Sequence, residues 1–125
     1  MILTVHLVYR YNIFGLNPSV DIHKIYKDNH SLPDNLRMAF TRFRTSSHRL
    51  RIEMARWNRP VPPPAERTCR CDAGEVQDEE HVFTCALTAA TRQQAGFTGG
   101  CCEFFSDPSM DNLIMLKECL DILEP

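Results

Sequence analysis

No run of apolar residues in this 125-residue chain approaches the ~20 needed to cross a membrane. The apolar start, residues 1–8 (MILTVHLV), lacks a positively charged leading region and is too short for a secretory signal, so it reads as a core strand. The expected location is therefore intracellular, in nucleus or cytoplasm, where thiols stay reduced or bind metal. Carboxylate clusters that hold two metal ions for phosphoryl transfer are missing as well. There is no Tyr-x-Asp-Asp run and no Asp-Asp pair. Gly99-Gly100 leads into Cys-Cys rather than Gly-Lys-Ser/Thr, so no phosphate-cradling loop is encoded. Internal repeats and low-complexity tracts are absent too. These gaps point away from an enzyme and from a small-molecule substrate.

What is present belongs to a soluble globular chain, 43% hydrophobic and 24% charged. Its length suits one modest domain, which at this size buries only about two-thirds of the unfolded-chain surface. A metal staple would then matter to stability. The net charge of -2 hides a segregation. Residues 1–70 carry 12 Lys/Arg against 5 Asp/Glu, whereas residues 71–125 carry 2 against 11. Either the basic half meets a polyanion or the two halves attract each other within the fold.

Along the chain, residues 1–33 form a poorly defined segment in which only 20–26 (VDIHKIY) suggests a short strand or a helical turn. Residues 34–59 read as an arginine-rich helical pair. Leu36, Phe40 and Phe43 fall at i, i+4 and i+7 after the start signal Pro33-Asp34. Ser46 or Ser47 is expected to cap a second helix carrying Leu50, Met54 and Trp57 at the same spacing. Seven arginines in 23 residues decorate the pair, opposed only by Glu53. Residues 60–68 are a proline-rich spacer, expected to be extended. Residues 69–92 hold the cysteine segment and a single predicted helix from about residue 79 to Arg92. Residues 93–125 hold a Gly-Gly-Cys-Cys turn at 99–102, the break Asp107-Pro108, and an amphipathic helix marked by Leu113, Leu116, Leu120 and Leu123.

The chemistry concentrates in Cys69, Cys71, His81 and Cys85. A structural zinc site takes four such ligands, commonly three thiolates and one imidazole. On a helix, His81 and Cys85 at i and i+4 would share one face. The intervening loop, with Asp72 and Gly74, can return the Cys-x-Cys pair to that face. A Cys-x-Cys pair is less diagnostic than Cys-x-x-Cys, although two such cysteines in a strand also point to one side. The alternatives are buried small apolar side chains with a hydrogen-bonded His81, or disulfide and redox chemistry. Cys101, Cys102 and Cys119 are not needed for the set.

Residues 36–57 contain Leu36-Arg37, a run from Phe40 through Ser46-Ser47-His48 to Glu53, and Arg56-Trp57. They are followed by Arg67-Thr68-Cys69-Arg70-Cys71, the stretch Val76-Gln77-Asp78-Glu79-Glu80-His81-Val82, then Cys85 and Arg92. Together these resemble the zinc-binding tail that follows the reverse transcriptase domain of non-LTR retrotransposons. The resemblance covers about residues 31–92 and weakly 100–123. His81 and Cys85 stand one residue closer than is usual in that family, and Asp72 replaces a glycine. Such a tail implies a zinc knuckle ligated by Cys69, Cys71, His81 and Cys85. It also implies help in holding RNA or DNA of a retroelement, with Arg42, Arg44, Arg49, Arg51 and Arg56 as candidate phosphate contacts. Charge for phosphates beside Phe40, Phe43 and Trp57 for bases supports that role from the residues themselves. The bland alternative puts those aromatics in the core. His48 is expected to serve as a cap or packing residue.

The fold class expected is mainly α, a small irregular domain with a zinc knuckle and three to four helices. The expected function is zinc-dependent nucleic-acid binding without catalysis. The alternatives are a degenerate relic with no independent function and a small protein-interaction module.

Overall fold

Leu36, Phe40 and Phe43 all lie on the inner face of helix α1 (Asp34–Arg44), and the two phenylalanines are fully buried. The computed structural model that places them describes residues 32–106 and 108–125. The expectations for residues 1–31, the apolar strand among them, fall outside the described residues, as does Asp107. Pro33 precedes α1 with a polyproline-like ψ of 144°, Asp34 sits in its first turn, and Arg42 and Arg44 sit in its last. This arrangement complements the helix dipole at both ends.

The remaining helices are α2 (Arg51–Met54), α3 (Glu79–Val82), α4 (Ala89–Ala95), α5 (Cys101–Ser106) and α6 (Met110–Leu123). Short 3-10 turns extend three of the connections, at Ala55–Trp57, Pro64–Glu66 and Ala86–Thr88. The domain is mainly helical, as the periodicity predicts. α6 packs against α1, α3 and α4 with Leu113, Leu116, Leu120 and Leu123 all buried. Ser109 starts it, its side chain accepting from the Asn112 N–H at 3.2 Å.

Six α-helical segments among the described residues exceed the three to four expected. One extra arises at residues 101–106, where the predicted Gly-Gly-Cys-Cys turn instead starts a helix that buries Cys101, Phe104 and Phe105. The other arises because the single helix expected from about residue 79 to Arg92 is broken. Cys85 is extended (ψ 138°), which splits the segment into α3, a 3-10 turn and α4. The broken ends are satisfied by side chains. Thr88 Oγ1 donates to the Val82 carbonyl at 2.7 Å, and Arg92 Nη2 donates to the Cys85 carbonyl at 2.7 Å.

Aromatic packing holds these pieces together. Phe43 stacks on Phe105 at 5.7 Å and meets Phe83 edge-on at 5.9 Å, while Phe83 lies 5.5 Å from Phe104. Such pairs add to plain burial by about 0.5–1.5 kcal/mol each. Phe83 thus roots the loop between His81 and Cys85 in the core.

Two expectations about the second helix are overturned. Neither Ser46 nor Ser47 caps it. Ser46 occupies a turn with φ 56°, and the first N–H groups go elsewhere. Leu50 N–H donates to His48 Nδ1 at 3.2 Å, and Arg51 N–H donates to Gln77 Oε1 at 2.7 Å. Trp57, predicted on the apolar stripe, is 75% exposed. The helix tightens into a 3-10 turn and ends at extended Asn58 before Trp57 can rotate inward.

Candidate metal centre

Cys69 and Cys71 sit at the start of a small hairpin. Thr68 and Val76 form an isolated antiparallel bridge, Cys69 N–H donates to the Glu75 carbonyl at 2.8 Å, and Gln77 N–H donates to the Arg67 carbonyl at 2.9 Å. The return is made by a turn with Gly74 at φ +69°, a conformation that strains any residue with a side chain. His81 comes from α3, whose start is capped by Asp78 Oδ1 accepting from the His81 N–H at 2.9 Å. Cys85 follows one turn later, its N–H donating to the His81 carbonyl at 2.8 Å. The two ligands therefore stay one turn apart although the helix itself stops at Val82.

The hairpin and the helix bring all four side chains to one point. Their ligand atoms lie within 4.8 Å of one another. Cys69 Sγ is 3.8 Å from Cys85 Sγ, and Cys71 Sγ is 3.3 Å from His81 Nε2. All six cysteines are free thiols, which removes the disulfide alternative. Three sulfurs and one imidazole nitrogen converging in a buried pocket form a donor set that can hold a metal ion. Cys101 and Cys119 are buried apart from this cluster, and Cys102 is exposed.

The surrounding groups favour ligation. His81 Nδ1 faces Glu75 Oε2 at 3.1 Å, so a proton on Nδ1 leaves the Nε2 lone pair directed at the sulfurs. Gln77 Nε2 donates to Cys69 Sγ at 3.3 Å, and Leu87 N–H donates to Cys85 Sγ at 3.4 Å. Burial opposes ionisation of Cys69, but hydrogen bonds from the Cys71 backbone, Gln77 and His81 outweigh it and bring its pKa down to about 7. Burial holds Cys85 up at about 11, helped by the neighbouring Cys71 and Cys69 thiols.

Gln77 is the residue that sequence reasoning missed. It is 2% exposed. Its Oε1 caps α2 at Arg51, its backbone carbonyl accepts from the Ile52 N–H at 3.0 Å, and its Nε2 reaches the ligand Cys69. One side chain joins the arginine-bearing helix to the metal centre. Arg67, also buried, spans from the Pro62 carbonyl (Nε, 3.1 Å) to the Ile52 carbonyl (Nη1, 2.8 Å). No local pattern marks either residue, because their partners are distant in sequence.

The five predicted arginines are dispersed. Arg42, Arg49 and Arg51 are exposed, while Arg44 and Arg56 are half-buried and Arg56 pairs with Glu53 at 3.1 Å. Arg49 and Arg51 line a groove of about 580 Å³ together with Arg70, Cys69, Gln77 and Glu124. Arg42 opens onto a separate hollow beside Lys117 and Asp121. Phe40 and Phe43 are core residues, so neither offers a face to a base. His48 is buried too, consistent with the expected cap and packing role.

Fold and site together define a small helical module around a Cys3His cluster able to hold a metal ion. No protein-family profile, curated protein or solved structure matches the chain. Among the described residues, no helix is long and apolar enough to cross a membrane.

Proposed function

We propose that the chain is a zinc-stapled nucleic-acid-binding module, akin to the tail that follows the reverse transcriptase domain in non-LTR retrotransposons. It acts by binding rather than catalysis. The observation that carries this reading is the convergence of Cys69, Cys71, His81 and Cys85. A zinc tetrahedron with Zn–S of about 2.3 Å and Zn–N of about 2.0 Å has sulfur–sulfur edges of about 3.8 Å and sulfur–nitrogen edges of about 3.5 Å. The 3.8 Å between Cys69 and Cys85 and the 3.3 Å between Cys71 and His81 fit those edges closely. The donor set is the soft, closed kind that suits zinc as a structural ion.

Zinc bound there would join the hairpin to α3 and, through Gln77, fix the start of α2. The nucleic-acid part of the reading rests on charge. Exposed arginines on α1 and α2 face outward while the acidic residues lie mostly in the second half of the chain. Arg42, Arg44, Arg49, Arg51 and Arg56 are the proposed phosphate contacts. A retroelement RNA or DNA is the proposed partner.

Two measurements test this. Native mass spectrometry of the purified chain should find one zinc per molecule, lost together with helical signal on chelation. Binding to a labelled oligonucleotide should weaken steeply with salt, and reversing the charges of Arg44 and Arg51 should flatten that slope. Binding indifferent to both salt and these arginines would reject the nucleic-acid reading. A chain that folds fully without metal and retains none would reject the zinc staple.

A further inference from the structure

Trp57 is the chain's single tryptophan, and at 75% exposed it is the most exposed large apolar side chain among the described residues. A groove that opens on the preceding turn of the same segment carries three guanidinium groups. Arg49, Arg51 and Arg70 line it, with Met54 on the same wall. Arg51, Met54 and Trp57 are spaced three apart on α2 and its 3-10 extension, so they follow one line along the helix surface. Met54 lines the groove, and Trp57 follows it by three residues, one turn further along the chain. Arg59 folds back next to it, its Nη1 donating to the Arg56 and Asn58 carbonyls at 3.2 and 3.0 Å.

From this juxtaposition we infer that the groove binds a single-stranded nucleic acid, with backbone phosphates on Arg49, Arg51 and Arg70 and an unpaired base stacked on Trp57. This inference rests on the nucleic-acid reading above and narrows it. A duplex keeps its base faces inside the stack, so an outward indole has nothing to cover in it. A single strand presents a phosphate and a base face at every step. Arg70 is pre-set for such a role, since its Nη2 is anchored to the Ile122 carbonyl at 2.6 Å, which holds the side chain across the groove. Among the described residues Glu124 is the single acidic side chain on the lining, and its Oε2 accepts from the Arg49 N–H at 2.5 Å. Its charge opposes an incoming phosphate, so it tunes affinity downward.

The experiment uses the full-length zinc-loaded chain. Oligothymidylate, and oligouridylate as the RNA arm, are titrated while Trp57 emission is followed, and duplex DNA of equal length serves as competitor. Single strands should quench Trp57, and the duplex should compete at least several-fold more weakly. Read by anisotropy of the labelled strand, Trp57→Ala should lower single-strand affinity about tenfold with circular dichroism unchanged, while Trp57→Phe should restore most of it. Glu124→Gln keeps an acceptor for Arg49 and should tighten binding about two- to fivefold at low salt. Equal affinity for single strand and duplex, with no effect of Trp57→Ala, would overturn this inference while leaving salt-dependent binding intact. Absence of any salt-dependent binding by anisotropy would instead remove the broader reading as well.

Discussion

His48 Nε2 lies 2.5 Å from Glu79 Oε1, and both side chains are withdrawn from solvent. Because His48 Nδ1 accepts from the Leu50 N–H, the ring proton sits on Nε2 and is donated to the carboxylate. The contact spans 31 residues and ties the α1–α2 turn to the start of α3. His48→Ala should destabilise the fold by about 3–5 kcal/mol, since it leaves a buried carboxylate without its imidazole. Adding Glu79→Gln should return part of that loss. Urea unfolding of wild type, both single variants and the double variant at saturating zinc gives the coupling. Strict additivity would show that the pair does not interact.

Gln77 separates two jobs with two substitutions. Gln77→Ala removes the cap on Arg51 and the donor to Cys69, and should cost about 1–3 kcal/mol while weakening metal binding about tenfold or more. Gln77→Glu keeps an acceptor for the Arg51 N–H but replaces the donor to Cys69 by a buried carboxylate, so it should weaken metal binding more than the alanine variant does. Competition with a chromophoric chelator, alongside thermal melts, would show whether the two effects part as expected.

Replacing Cys85 by Ser should abolish stoichiometric zinc retention, with Cys102→Ser as a control that retains it. Zinc uptake by the wild-type chain should release protons, because Cys85 is held up at about 11 and must ionise to ligate. Proton release is read by calorimetry in buffers of different ionisation enthalpy. Heat independent of buffer would contradict thiolate formation.

Stability of the zinc-loaded chain should fall in alkali. Burial is the main cause that pushes the Cys119 thiol up from 9.0 to about 11. Below about pH 9 the thiol is protonated in folded and unfolded chain alike, and its contribution is fully present. Between 9 and 11 the unfolded chain loses this proton and the folded chain keeps it, so stability drops by up to about 3 kcal/mol. Cys101 is shifted in the same direction, by burial and by the nearby Glu80, Glu79 and Asp78. Cys119→Ala should shrink the loss, as measured by urea midpoints at stepped pH. An identical alkaline limb in that variant would exclude Cys119 as its source.

How much was legible depended on how local each cause is. The stripes Leu36–Phe40–Phe43 and Leu113–Leu116–Leu120–Leu123 announced their helices because burial repeats with the helical period. Cys69, Cys71, His81 and Cys85 announced a site because few other roles need that set so closely spaced. Trp57 misled, since its spacing continued a stripe that the backbone did not. The break at Cys85 was hidden because Thr88 and Arg92 satisfy the carbonyls that a continuous helix would have used. Glu79, Gln77 and Arg67 carry no local pattern that assigns them a buried role, yet all three are buried against partners that only the tertiary fold supplies.

The clasp made by Arg67 has a practical consequence for anyone dissecting the chain. A cut anywhere in the proline stretch would look harmless on paper, but the guanidinium stitches that stretch to Ile52. Phe83 on the far side would also lose the rings of Phe43. An excised Cys-His segment would carry a raw apolar wound where α1 had been, and its failure to behave would say nothing about the affinity of the intact protein for a metal ion.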